Sequence, residues 1–472
     1  MTRTVILAMA LGLMLGGCEV GPGFTPPLPP AVTAYTAPGD APPPADQSVT
    51  LGQAGAADWW TTLHAPALDR LIARAMANNP DVAIAQARLD EARESVKSAQ
   101  AGLLPEASLG ASAGRQKYGA SLFGPLDISV PPFTYYVVGP SVSFPLDLFG
   151  GQRRTVEEQS AYLAYRRGEL DEVRLKLAAN VAAEALALAE ARDEARTVER
   201  ILADDQQDID LVKTAFDLGS GTRTQLLEAQ SQMAEDQTLL PSLRQRQAIA
   251  RHALAILVGD LPADWSAPDF GLDDFTLPGE IQAGLPSDLA RRRPDIRAAE
   301  AELHGACAAI GVATADLYPK LVLTGTYTQQ ALNPGGLFDG EAGAWALAAG
   351  LTQPLFEGGR LKAQRQAAVD RYHAALATYR KTVLGAFGEV ADALQAQAFD
   401  ADQLRSEAAA AQAAADALDL ARRSYGAGAS GVLDVIDVQR RYTHAQIAVS
   451  RARAQRLLDT VQLDAALGGA AP

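Results

Sequence analysis

Two periodicities share this chain. From Gln152 to Leu218, and again from Arg360 to Ala427, the sequence has helical character and no proline, which predicts two long helices. At roughly 1.5 Å per residue each would run about 100 Å. Gly168, Gly385 and Gly388 are only mild weak points within them. Toward the far ends, Ile209, Val212 and Phe216, and later Val432, Val435, Gln439 and Tyr442, keep a coiled-coil-like spacing. Elsewhere the period is two. Ala107, Leu109, Ala111 and Ala113 alternate with Ser108, Gly110, Ser112 and Gly114. Tyr136, Val138, Val142 and Phe144 face away from Ser141 and Ser143. Leu321, Leu323 and Tyr327 alternate with Thr324, Thr326 and Thr328, and Trp345, Leu347, Ala349 and Leu351 with small residues. These patterns predict strands at about 106–118, 134–149, 319–330 and 343–356. Alternation of this kind suits the half-buried strands of a soluble sandwich, and it is also the weak signature of an outer-membrane barrel.

The pattern is written twice. Residues 79–114 align with 293–328, pairing Pro80 with Pro294 and Pro105 with Pro319. FPLDLFGGQ (144–152) answers QPLFEGGR (353–360), and FDLGSGTRTQLLEAQ (216–230) answers YGAGASGVLDVIDVQ (425–439). Three blocks in one order indicate a tandem structural repeat.

GAGASG, at 426–431, matches a dinucleotide-binding glycine fingerprint letter for letter. That fingerprint needs a strand before it and an acid about 20 residues after it. An alanine-rich helical run precedes it here, no acid follows at that distance, and the first repeat carries DLGSGT at the same place. Gly219 and Gly428 are the shared glycines, as expected where a helix ends in a left-handed residue. Thr222 with Gln225 forms a capping box for the next helix. No cofactor is implied.

The amino terminus changes the picture more than composition does. Arg3, the apolar run Val5–Leu15 and then Leu15-Gly16-Gly17-Cys18 read as a signal peptide ending in a lipobox, with Cys18 the acylated residue. Residues 20–48 are proline-rich and extended, a tether between lipid and folded body. After the signal peptide no apolar run reaches 18 residues, so any membrane crossing falls to strands. The net charge of −15 argues against nucleic acid as a partner. Two cysteines imply no disulfide framework, and the five histidines lie too far apart to suggest a metal site. The expected organisation is a signal peptide (1–17), a lipidated tether (18–58), a first repeat (59–258), a connector (259–285) and a second repeat (286–472), with helix-tip turns at 217–223 and 426–431.

Four strands cannot close a membrane barrel, because the smallest have about eight, and open edges are not tolerated in lipid. Two copies would supply eight strands and three would supply twelve.

The chain resembles the TolC-like outer-membrane efflux proteins, in their lipoprotein branch. The likeness rests on GCEVGPGFTPP, on DWWTTLHAPALDRLIARAMANNPDVAIAQARLDEAR, on PLDLFGGQRR and PLFEGGRLKAQ, and on the two tip turns. The resemblance implies a mainly α protein with membrane β: a homotrimer with a twelve-stranded barrel in the outer membrane and an α-helical barrel in the periplasm. It implies a non-enzymatic exit duct serving a periplasmic adaptor and an inner-membrane efflux pump. An exit duct for type I protein secretion, or a structural coiled-coil envelope lipoprotein, are the alternatives. By motif, the resemblance puts a gate at the helix tips on Tyr425, Gly428, Asp434 and Asp437. Relatives can carry an arginine where this chain has Ser430, and Arg223, Arg422 or Arg423 are the residues that could replace it.

Overall fold

The computed structural model describes residues 19–52, 58–119 and 130–469. In chain order the elements are β1 (Ser48–Leu51), α1 (Pro66–Asn78), α2 (Pro80–Ala101), β2 (Glu106–Gln116), β3 (Phe133–Leu146), α3 (Gly151–Asp217), α4 (Arg223–Gln237) and α5 (Leu239–Leu257). Then follow β4 (Glu280–Ala283), α6 (Pro286–Arg292), α7 (Pro294–Ala315), β5 (Lys320–Ala331), β6 (Gly343–Thr352), α8 (Arg360–Gly426) and α9 (Val432–Ala466). Among the described residues no helix is long and apolar enough to cross a membrane. Proline sits in the first turn of α1, α2, α6 and α7, where its missing N–H breaks no helical bond. Asn79 caps α2 by accepting the Asp81 N–H at 2.8 Å.

The chain forms two compact units. The first takes in residues 1–27, 89–166 and 299–379 and contains a four-stranded antiparallel sheet in the order β2-β3-β5-β6. Glu106 pairs with Ser143 in the first hairpin, and Lys320 pairs with Thr352 in the second. Those are the same two pairs once Pro105 is laid on Pro319 and Pro145 on Pro354, so both hairpins keep one register. The register also gathers the alternating residues onto shared faces. Leu109, Val142, Leu323, Tyr327, Trp345, Leu347 and Leu351 all lie on one side. Ser108, Ser141, Thr326 and Ala346 lie on the other, where the Ser108 and Ser141 hydroxyls bond at 2.8 Å. The apolar face is bare in the single chain: Leu109 is 77%, Trp345 74% and Leu347 79% exposed. Among the described residues, strands β2 and β6 each have only one neighbour.

The start of the described chain belongs to this unit. The Val20 N–H donates to the Phe149 carbonyl at 3.1 Å. Buried Arg154 reaches Glu19 at 3.2 Å and Glu157 at 2.6 Å. His304 Nε2 lies 2.8 Å from Glu157, with the Phe24 ring stacked on its imidazole at 4.4 Å. Hydrogen bonds from Arg154 and His304 hold the Glu157 carboxyl below its ordinary value against the opposing effect of burial.

The second unit holds residues 28–88, 167–298 and 380–472. Here the proline-rich segment is no free linker. The Tyr35 hydroxyl donates to the Gly284 carbonyl, the Ala41 backbone exchanges bonds with Gln395, and β1 pairs in parallel with β4 from Ser48–Glu280 to Leu51–Ala283. Prolines prevent the segment from folding on itself, yet its free carbonyls, N–H groups and side chains find partners on other elements. The centre of this docking is Arg456, 1% exposed, which donates to the Gln397 carbonyl at 2.7 Å and to both Asp46 carboxylate oxygens at 3.2 Å. Gln47 and Gln397 both donate to Thr460 beside it. Gly168 lets α3 approach α7, since a Cβ there would meet the Ala298 methyl and the Pro294 carbonyl.

Candidate functional site at the helix tips

Both helix-tip turns are built by one device. After α3, Gly219 takes φ +77°, its N–H bonds the Phe216 carbonyl, and the Ser220 N–H reaches back to Ala215. After α8, Gly428 takes φ +71°, its N–H bonds Tyr425, and the Ala429 N–H reaches Ser424. This pair of bonds closing on a left-handed glycine is the Schellman arrangement. The glycine pattern therefore ends a helix, and no strand enters it.

The next helix starts on a cap in each repeat. Thr222 and Gln225 exchange both bonds of the capping box at the head of α4. At the head of α9 the Asp434 carboxylate accepts the Gly431 N–H at 3.1 Å. Beneath the turns, Ile209, Val212, Ala229 and Val432 form a buried cluster against which Tyr425, Leu226, Met233 and Ile436 pack. Tyr425 is thus a packing residue of the tip.

Within one chain, Asp434 and Asp437 are both engaged on their own helix. Within the chain Asp434 is occupied as a cap. Asp437 accepts from Arg440 at 2.8 Å and Arg441 at 2.6 Å, both one turn along its own helix. Arg423 is spent in the same way on Asp419. The residue that ties separate helices together is Arg422, which donates to Asp204 on α3 at 3.1 Å and to Gln439 on α9 at 3.2 Å. Arg223 is exposed and carries no ion pair among the described residues, and the Ser430 hydroxyl is buried without a partner. Asp204 was not legible as a site residue, because its partner lies 218 positions away and no local spacing marks it. Burial pushes the nearby Asp208 carboxyl up, against the opposing pull of Arg422. Cys18 lies outside the described residues.

Comparison with known proteins agrees with this architecture. A family model described as outer membrane efflux protein matches residues 71–260 and 285–469, one stretch per repeat. The chain is 33% identical over 469 residues to the pyoverdine export outer membrane protein OpmQ of Pseudomonas aeruginosa, covering 97% of this chain and 95% of that one. It is 30% identical to nodulation protein T of Rhizobium leguminosarum bv. viciae, covering 98% and 93%. The solved outer-membrane channel OprN superposes with a TM-score of 0.87 at 27% identity, covering 96% of this chain and 99% of that structure. With its duplicated hairpins, its paired helix-tip turns and a match along both repeats, this chain belongs to the outer membrane efflux protein family.

Proposed function

We propose that three copies of this chain close into one channel, the outer-membrane exit duct of a tripartite efflux system, fed by an inner-membrane pump through a periplasmic adaptor and anchored further by acylated Cys18. The observation that carries the reading is the sheet: four strands, two open edges and a bare apolar face. In lipid that face is solvated by acyl chains, but the edges are not, so β6 must pair with β2 of a second copy. A coiled-coil spacer has no use for such a sheet. The diversity of the relatives' names, from pyoverdine export to nodulation, fits a duct whose cargo is chosen by the pump.

The internal repeat gives the register of the missing seam. Within the chain, β3 of the first repeat pairs with β5 of the second, Ser141 opposite Thr326. Moving each strand to its repeat equivalent sets Gly350 opposite the partner's Ser112 and Leu351 opposite the partner's Ala111. Leu351 and Ala111 then share the apolar face, so the seam continues the same alternation. A chain carrying Gly350→Cys and Ser112→Cys should form disulfide-linked trimers in the outer membrane and conduct ions in a planar bilayer. Monomers in detergent, or cross-links found only one residue out of this register, would overturn the closure.

A further inference from the structure

Between Val198 and Val212 of α3, the heptad-like contact positions toward α4 and α5 are apolar except for one layer. Along α3 the contact positions are Val198, Leu202, Asp205, Ile209 and Val212, spaced alternately by four and three as in a coiled coil. Along the return path they are Leu226, Ala229, Met233, Asp236, Leu240 and Leu243. One buried cluster, around Val198 and Leu243, lies on one side of the acidic layer, and the tip cluster of Ile209, Val212 and Ala229 lies on the other. Asp205 and Asp236 are each 5% exposed, and they occupy facing contact positions of this one layer. Gln232 donates to Asp236 Oδ2 at 3.0 Å, while Asp205 Oδ2 has no partner.

We propose that Asp205 and Asp236 share a single proton that fastens α4 to α3, so that this helix pair is tight in mildly acidic medium and looser from neutrality upward. Two ionised carboxylates in a buried layer repel each other and lack the donors that would satisfy them. One proton turns that repulsion into a short carboxyl–carboxylate bond. The other charges facing the layer are Asp204 and Asp208 on α3 itself and Arg422 on α8, already engaged with Asp204. Among the described residues no group of three or more His, Cys, Asp or Glu is placed to hold a metal ion. Burial first, then the facing Asp236 and the charges of Asp208 and Asp204, push the Asp205 carboxyl up to about 7. An unfolded aspartate titrates near 3.9, roughly. The closed helix pair therefore keeps a proton that the opened one releases between about pH 4 and 7, and closure weakens across that window as pH rises. The proposal holds whatever passes through the channel.

The test is amide hydrogen exchange of residues 223–237 in the full-length protein, corrected for intrinsic rates, at pH 5 and pH 7.5. Protection should fall on the order of tenfold or more in the native chain. In Asp205→Asn, which keeps the shape and offers a fixed donor to Asp236, the fall should disappear. The exchange-independent check is an infrared difference spectrum at pH 5, native minus variant, in which a protonated-carboxyl carbonyl component should be lost in Asp205→Asn and in Asp236→Asn, while the components of other buried carboxyls such as Asp459 cancel. A native chain whose protection does not change, or an Asn variant that keeps the native pH response, overturns the shared proton. Should Asp205→Asn fail to assemble, Asp236→Asn carries the same two outcomes.

Discussion

Arg154 places its guanidinium 3.2 Å from the carboxylate of Glu19, one residue beyond the cysteine that the sequence marks for acylation. The arginine is buried, and its second partner is Glu157, which His304 also holds. The first described residues after Cys18 are thereby fixed to the sheet-bearing unit. Arg154→Ala should free residues 19–27 to limited proteolysis and lower stability by about 1–3 kcal/mol, since Glu157 loses its closest cation. Denaturant unfolding and mass mapping of the cleaved fragments would read both effects, and a variant as resistant as the native chain would refute the clamp.

Lipidation itself is a separate expectation. Cys18→Ser should carry no metabolically incorporated acyl label and should accumulate as precursor. Label retained by the variant would remove the lipobox reading. Transport need not fail, because in the proposed channel the strands would also hold the protein in the membrane.

At the tip, the geometry singles out Arg422. Its pair with Asp204 is solvent-exposed and worth about 0–1 kcal/mol per copy. Three copies amount to a few kcal/mol at most, within reach of a docking partner. Arg422→Ala should raise single-channel conductance, whereas Arg223→Ala should leave it unchanged. Asp434→Ala should instead cost helix stability, about 1 kcal/mol for a lost cap. Bilayer recordings in which Arg223→Ala opens the pore and Arg422→Ala does not would reverse this assignment.

A second acidic pair lies in the unit that docks the proline-rich segment. Asp459 is 1% exposed and is pushed up to about 7, mainly by burial and then by the neighbouring Asp400 carboxyl, against the opposing pull of Gln455 and Arg456. The sign follows from the raised value: the folded chain keeps a proton that the unfolded chain loses from about pH 4 upward, so stability declines as pH climbs toward 7. Between pH 5 and 7 the group should contribute a loss of about 1–2 kcal/mol. Asp459→Asn should flatten that part of the melting-temperature profile. An unaltered profile would place the pH dependence elsewhere.

The β5–β6 link is expected at the cell surface. Gly340 has open space around it, whereas Gly336 donates to the Asn333 side chain at 2.9 Å and is a poorer insertion point. A short tag after Gly340 should be labelled on intact cells. Labelling only after the outer membrane is permeabilised would invert the topology. The matching link of the first repeat, around Gly124, lies outside the described residues.

Much of this architecture was legible because it depends on period and punctuation. The long helices could be read from the absence of proline, the strands from alternation, and the tips from Gly219 and Gly428. The shared hairpin register agrees with the duplicated prolines, but it was read from the pairing itself. What escaped the sequence depends on contacts between distant residues. Asp46 meets Arg456, Asp204 meets Arg422, and Ser48 begins a strand whose partner is Glu280. None of these pairs leaves a local signal, and a proline-rich stretch reads as a free tether until its partners are seen. Asp434 and Asp437 were visible as gate residues through the family resemblance. Their partners within the chain were not, because a cap at Gly431 and pairs with Arg440 and Arg441 are set by local helix geometry that the sequence does not spell out.

The two hairpins keep one register because the chain is a duplication, and that has a kinetic consequence. A ring of twelve strands could be assembled from six half-length chains, each bringing one hairpin and every seam formed by collision. Fusing the halves makes every second seam intramolecular, as the β3–β5 pairing is here. Assembly then needs three encounters' worth of subunits in place of six, and it depends far less steeply on concentration. For a protein whose unpaired edges are intolerable in lipid, fewer half-built rings means less time spent with an edge exposed.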